Sequence, residues 1–436
     1  MDFKTSTSRG LSALALATGL LSSGEAFAAG FAINDISITG VGRAFAGAGV
    51  VGDDYSAIGF NPAGITLKGS GGQIGGVWIF EHGKVEGYAK KAGAPGGRAY
   101  GKDDISLPVT VPNLFAQYKL NDSLYFGLGV YSPFGLETKY DDNWFGSDYG
   151  VKSELKSIDI APTIGYKINK HWSLGASAIA RWGQVRMTNT SAGTGYSDFD
   201  IDGWNYYGRF GVMYEFDENT RIGLAYSTVS TKVEHTLKGD HKMSGMPGAI
   251  PGYSPDMTFL NGEWDGGTVV RLPEMWLLSG YHRRGNFGYS SSIRYTRWEH
   301  FNDFTLTSSS RLGYHTSKYN WHNTWSAALG TDWFYDDKWT FRAGVGYDES
   351  PVRHPGLRTV RIPDNDRVLM SLGFTYKFTD HFKMDFGYTH IYLPTFKAKN
   401  GYNRTGLQGT TPGVGDVNIK YDFNAEVLGL QFQYDF

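Results

Sequence analysis

The chain has 436 residues, a net charge of −2, no cysteine, 59 glycines and 15% aromatic residues. Near-neutrality argues against a nucleic-acid partner, and the missing cysteine excludes a disulfide scaffold and thiolate metal sites. A mean hydropathy below zero beside so many aromatics suits a wall that is apolar outside and polar within.

The N-terminus reads as an export signal. Lys4 and Arg9 precede an apolar run from Leu11 to Leu21, and Ala26-Phe27-Ala28 supplies a small-x-small cleavage site. Residues 1–28 are therefore expected to be removed, leaving a mature chain that begins Ala29-Gly30-Phe31. The apolar run is too short to span a bilayer, and nothing later in the chain resembles a membrane helix. Residues 29–70 are rich in glycine and alanine and include Asn61-Pro62-Ala63-Gly64. A periplasmic segment of this kind ahead of a wide barrel most economically folds into the lumen as a plug.

From residue 71 to 436 the pattern changes to period two, which predicts an all-β antiparallel transmembrane barrel of about 14 strands. Predicted strands include Gln73–Val85, Trp172–Met187, Trp321–Phe334 and Tyr421–Phe436. Tight turns such as Asn121-Asp122-Ser123 and Asn169-Lys170-His171 alternate with long polar loops such as Leu237–Gly267 and Lys399–Lys420. Short ends periplasmic and long ends outside is the topology of a bacterial outer-membrane barrel, and an even strand number leaves both termini in the periplasm. Trp321, Trp325, Ala327, Leu329 and Trp333 are expected on the lipid side of one strand. In the last strand Leu428, Leu430, Phe432, Tyr434 and Phe436 alternate with Gly429, Gln431, Gln433 and Asp435, closing the wall on an aromatic residue.

Parity turns Arg181, Arg209, Arg294, Arg342 and Arg367 towards the lumen, with His322 a further basic candidate. Asp159, Glu215, Asp332 and Asp385 share those faces, so most of the arginines are expected in ion-pair networks that hold the plug rather than at a ligand. No phosphate loop, metal-ligand cluster or activated nucleophile is evident, so neither an enzyme, a metal nor a cofactor is expected. A general porin is disfavoured because the N-terminal segment would obstruct the pore.

Several motifs carry a family resemblance. They are Ala29-Gly30-Phe31, Gly40-Val41-Gly42-Arg43-Ala44-Phe45-Ala46-Gly47, Asp53-Asp54 and Asn61-Pro62-Ala63. Further on come Leu272-Pro273-Glu274-Met275-Trp276, Tyr347-Asp348-Glu349-Ser350-Pro351-Val352 and Ile362-Pro363-Asp364-Asn365-Asp366-Arg367. In order and spacing the chain resembles the FadL/TodX transporters of long-chain fatty acids and other hydrophobic compounds. The resemblance implies a fourteen-stranded barrel with a small N-terminal hatch, and passive uptake of a hydrophobic ligand. Capture among the outer loops would pass the ligand to an inner pocket where Phe31 sits. Hatch rearrangement would then open a lateral exit where the third strand kinks at Gly135.

Pro133 lacks a ladder donor and Gly135 tolerates a bend, which suits such a gate; equally, the pair could simply end the strand. Asn61-Pro62-Ala63 reads both as a turn and as the part of the hatch that must stay seated and then shift. The family's carboxylate-pairing basic residues align near Asn189, which is not basic, and near His322, so neutral aromatic hydrocarbons stand beside fatty acids as ligands. Outer-membrane lipid and lipopolysaccharide are the expected surroundings of a monomer.

Overall fold

The computed structural model describes residues 30–91, 95–191, 194–230, 237–249, 256–399 and 416–436. The export signal and its cleavage site lie outside these residues. In chain order the strands are β1 (Gly71–Lys90), β2 (Arg98–Lys119), β3 (Leu124–Tyr131), β4 (Gly135–Lys139), β5 (Lys152–Lys167), β6 (Trp172–Ser191) and β7 (Gly195–Glu215). Then follow β8 (Thr220–Ser227), β9 (Leu237–Ser244), β10 (Gly262–Thr268), β11 (Glu274–Arg284), β12 (Phe287–Arg297), β13 (Asp303–Ser308) and β14 (Tyr314–Lys318). The last are β15 (Thr324–Phe334), β16 (Trp339–Asp348), β17 (Arg367–Lys377), β18 (Phe382–Tyr392), β19 (Phe396–Ala398) and β20 (Val417–Asp435).

Fourteen of these close an antiparallel barrel, in the order β1, β2, β3, β5, β6, β7, β8, β11, β12, β15, β16, β17, β18 and β20. The seam is β20 against β1, paired from Gly71↔Asp435 to Ala89↔Val417. Closure matters because hydrocarbon offers no partner to an edge amide. Outward positions carry the apolar surface: Ile74 and Trp78 on β1, Leu329 on β15 and Leu372 on β17 are all exposed. Short turns are fixed by side-chain carbonyls. Asn121 accepts from the amides of Ser123 and Leu124, and Asn169 does the same for His171 and Trp172.

Two expectations are corrected. The segment 237–267, expected as a long loop, contains two strands among its described residues: β9 and β10 extend the sheet above β7, through Tyr196↔Ser244 and Gly262↔Met243. Its outward residues, Lys238, Asp240 and Lys242, are exposed while Leu237, His241 and Met243 are buried. The strand stands in water above the membrane, so its outer face is charged and the alternation reads as loop. The strand predicted from Trp321 begins at Thr324, and Trp321 is buried instead of facing lipid.

Residues 31–67 lie inside the barrel. They form a short helix α1 (Ile38–Val41), a second turn α2 (Ala57–Phe60) and a 3-10 helix, Pro62–Leu67. Segments this short cannot hold themselves, so polar clamps do. Asp54 accepts from the hydroxyls of Ser37 (2.6 Å), Thr39 (3.0 Å) and Ser56 (2.6 Å), while Ser37 caps the Gly40 amide. Wall glycines make the seat. A Cβ on Gly175 would stand 2.2 Å from the Pro62 carbonyl carbon, and one on Gly211 2.0 Å from Asn61 Oδ1. Gly175→Val should therefore lift the 61–63 turn without breaking the wall. The expected outcome is a several-fold rise in planar-bilayer conductance from a barrel that still shows heat-modifiable migration; wild-type conductance would show that the turn is not held by this seat.

Candidate functional site

Above the membrane the outer strands and loops enclose a cleft of about 1260 Å³, its open mouth included. Its wall is apolar where Met243, Met246 and Met257 cluster, and thioethers adapt to irregular ligands. Phe199 stacks on His241 at 3.6 Å. Burial pushes the His241 imidazole down to about 4, with Asp198 opposing, so this ring is neutral at pH 7. His315 is also lowered, by burial first and then by Arg361. The cleft's positive charge comes from arginine. Arg361 donates to the Lys152 carbonyl (3.3 Å), the Ser153 hydroxyl (3.2 Å), the Thr188 carbonyl (3.2 Å) and Asn189 Oδ1 (3.0 Å). A guanidinium from position 361 thus stands against Asn189, where the local sequence offers no base. Sequence reasoning missed it because 172 residues separate the two.

Below the cleft is an aromatic cage filled by Phe31. This ring is fully buried, 4.9 Å from both Trp298 and Phe301, 5.6 Å from Trp321 and 5.9 Å from Phe134. The indole N–H groups of Trp298 and Trp321 have no hydrogen-bond partner among the described residues. Trp298 and Phe301 follow β12 at a spacing of three, outside the period-two pattern, and that break was the only available signal for them. The Gly30 amide donates to Asp364 (3.2 Å). His322 lies beside the cage outside any strand, with Nδ1 on the Pro351 carbonyl (2.7 Å) and Nε2 at 3.2 Å from Glu349.

The cage adjoins a break in the wall. β3 leaves β5 at Tyr131↔Asp159, and β4 resumes at Gly135↔Lys156, so the 131–135 step carries one residue more than its partner. This is a bulge, with Pro133 at its centre and Gly135 at its end, where pairing resumes. On the other side, β2 pairs with β3 only from Lys119↔Tyr125 to Leu114↔Val130. Above that point β2 pairs with β1 alone, down to Lys90↔Arg98. Pro108 and Pro112 share a parity on this edge, and because the β1 ladder is unbroken their missing donors face the gap. The N-terminal segment covers the break from inside: Ile33 N–H donates to the Pro133 carbonyl (2.8 Å) and Gly135 N–H to the Phe31 carbonyl (3.0 Å).

The lumen arginines sort into two kinds. Arg43 and Arg342 both bind Asp53 (2.8 and 3.1 Å) and Asp332 (2.9 and 3.2 Å), joining the plug to β15 and β16. Burial alone would raise Asp53, but the two guanidinium groups more than offset it and hold the carboxyl below its usual range. Arg181 forms a fork on Asp159 (2.6 and 2.8 Å), and Arg367 contacts Asp364 with Asp348 at 3.8 Å. Arg209 donates to the hydroxyls of Tyr131 (2.9 Å) and Ser227 (2.9 Å) and to the Ile58 carbonyl (3.2 Å). Glu215 bonds to Lys167 (2.9 Å), and Asp385 accepts from Gln431 and Gln433. Arg294 differs, since among the described residues its single side-chain partner is the amide oxygen of Asn34. Asn61 accepts from the Ala63 amide (3.0 Å) and donates to the Val212 carbonyl (3.3 Å), tying the Asn61-Pro62-Ala63 turn to β7.

The sequence model of the outer membrane protein transport proteins (OMPP1/FadL/TodX) matches residues 19–436. The chain belongs to this family. It is 30% identical over 400 residues to the long-chain fatty acid transport protein of Salmonella typhi, covering 86% of this chain and 89% of that one. Outer membrane protein P1 of Haemophilus influenzae (strain ATCC 51907 / DSM 11121 / KW20 / Rd) is 27% identical over 412 residues, covering 84% and 86%. Among solved structures, a Pseudomonas aeruginosa FadL homologue superposes with a TM-score of 0.81 at 23% identity, covering 94% of this chain and all of that one. The Pseudomonas putida toluene transporter TodX gives 0.66 at 16% identity, covering 93% and 100%. This member of the OMPP1/FadL/TodX family is an outer-membrane β-barrel of a transporter family.

Two outcomes follow for its plug. Asp332→Ala leaves Arg43 and Arg342 with one carboxylate between them inside the barrel, which costs about 3 kcal/mol of seating. Residues 30–70 of the purified variant should become open to protease while those of the wild type stay protected. For Asp35, burial raises the carboxyl to about 7, against lowering by a backbone hydrogen bond and Arg367. A carboxyl that keeps its proton in the seated state stabilises that state at low pH. The contribution declines as pH rises from about 3.9 towards the raised value. Conductance flicker should therefore be more frequent at pH 8 than at pH 5, and Asp35→Asn should remove the difference.

Proposed function

We propose that the chain is a passive outer-membrane channel that takes up long-chain fatty acids and related hydrophobic molecules. Relatives named for long-chain fatty acid transport support this reading, and one observation carries it. The tip of the N-terminal segment occupies an aromatic cage with its Phe31 ring while its backbone covers a gap in the wall. A ligand entering the cage must displace Phe31, and doing so uncovers the gap. Residues 29–70 thereby act as a movable hatch ahead of the barrel at 71–436, with Asn61-Pro62-Ala63 as its seated end. Pro133 and Gly135 frame the lateral exit into the bilayer.

Transfer of an alkyl chain from the methionine-lined cleft to the cage keeps it out of water, at roughly 0.8 kcal/mol per methylene. Arg361 at the cleft supplies a partner for a carboxylate head. Four aromatic rings around Phe31 favour a second reading, uptake of neutral aromatic hydrocarbons. The protein acts as a channel rather than a catalyst, as a monomer among lipid and lipopolysaccharide.

The hatch tip can be locked. Ala32 and Phe134 face each other across an antiparallel bridge, a spacing that suits a disulfide, and the chain has no cysteine to interfere. The doubly substituted A32C/F134C protein should lose fatty-acid uptake when oxidised and regain it on reduction. Uptake by the oxidised form equal to that of the reduced form would mean that the ligand does not pass by way of the hatch tip.

A further inference from the structure

Two small interior cavities, of about 40 Å³ each, meet at Arg294, Asn34 and Leu277. The first runs under Ala32 and Ile33 to Pro133 at the wall break, between apolar side chains that include Ile36, Phe60 and Met275. The chamber thus lies between the Phe31 cage and the gap. Its guanidinium is unlike the others. Arg43, Arg181, Arg342 and Arg367 each have a carboxylate within ion-pair distance, and Arg209 binds hydroxyls and a carbonyl. Arg294 has the neutral Asn34 oxygen, with no ion pair among the described residues, and Asp348, which lines the second cavity, acts on it electrostatically.

We infer that Arg294 is an internal receptor for the carboxylate of the transported ligand, capped by Asn34 until the hatch tip moves. The inference rests on the uptake reading above and narrows its ligand to an anionic amphiphile, a long-chain carboxylate rather than a neutral hydrocarbon. A permanent cation in a low-dielectric interior is costly unless an anion answers it. The Asn34 amide oxygen occupies the position of a carboxylate oxygen without its charge. Asn34 is also three residues from Phe31 on the same segment. Displacing the ring from the cage draws the amide off the guanidinium, so the head group gains a charged fork as the tail enters the chamber beside Pro133.

The test measures uptake of palmitate and of hexadecanol, a neutral probe of equal chain length, in cells producing the full-length chain in place of their own transporters. Arg294→Met should cut palmitate uptake about tenfold and leave hexadecanol unchanged, while Arg294→Lys retains most of it. Asn34→Asp, which supplies a resident carboxylate to Arg294, should also depress palmitate alone, and this variant carries the test if the methionine variant fails to show heat-modifiable migration. Equal palmitate uptake by wild type and the assembled variants, or equal loss of both probes, overturns the inference. A wild-type chain that moves neither probe overturns the uptake reading itself, which is a separate result.

Discussion

Everything in this structure turns on a backbone problem at residues 131–135. A strand in hydrocarbon must find partners for its amides, and the wall supplies them around the whole ring except beside the bulge between β3 and β4. There β2 offers prolines in place of donors, and the amides of Ile33 and Gly135 are satisfied between the plug and the wall. The plug therefore completes the wall as well as filling the pore. Withdrawing its tip exposes a polar, unpaired edge, which is a reason for the gap to stay shut until something of equal value takes the place of residues 31–33.

What holds the rest of the plug is a division of polar groups. Asp53 and Asp332 lock Arg43 and Arg342 at the base, the Asp54 clamp ties the short helices together, and glycines in β6 and β7 admit the 61–63 turn. These contacts are short and buried, so they define one seated position. The tip depends on weaker stuff: one ring in a cage, two backbone bonds, one amide on Arg294 and one on Asp364. In the proposed uptake reading, a firmly seated base with a less firmly held tip is what would let a hydrophobic molecule shift the tip without ejecting the plug.

Along the proposed uptake path, charge placement gives a direction. The cleft is cationic through Arg361 and not through its neutral histidines. Below the cage stands Arg294, held by the neutral Asn34 amide oxygen. Between them lies a stretch lined by rings. An amphiphile would leave one arginine and reach the next, while a neutral hydrocarbon would meet only the apolar lining.

Period-two alternation, turn residues and the N-terminal signal were enough to establish a closed membrane barrel of about fourteen strands, because lipid on one face and polar filling on the other impose that alternation on every wall strand. The ordered motifs were enough for the family. Parity also turned Arg181, Arg209, Arg342 and Arg367 inward, and all four are buried. It could not say which of them were answered by carboxylates, since partners such as Asp53 for Arg342 or Asn34 for Arg294 lie hundreds of residues away and meet only when the plug is seated. It misplaced Trp321 because a residue just beyond a strand end is free of the pleat, and it passed over β9 because a strand in water carries a charged outer face, and Gly239 and His241 interrupt the apolar inner positions between Leu237 and Met243. Local patterning follows from the solvent each residue faces; the cage, the cleft arginine and the covered gap follow from long-range closure, which only the folded ring creates.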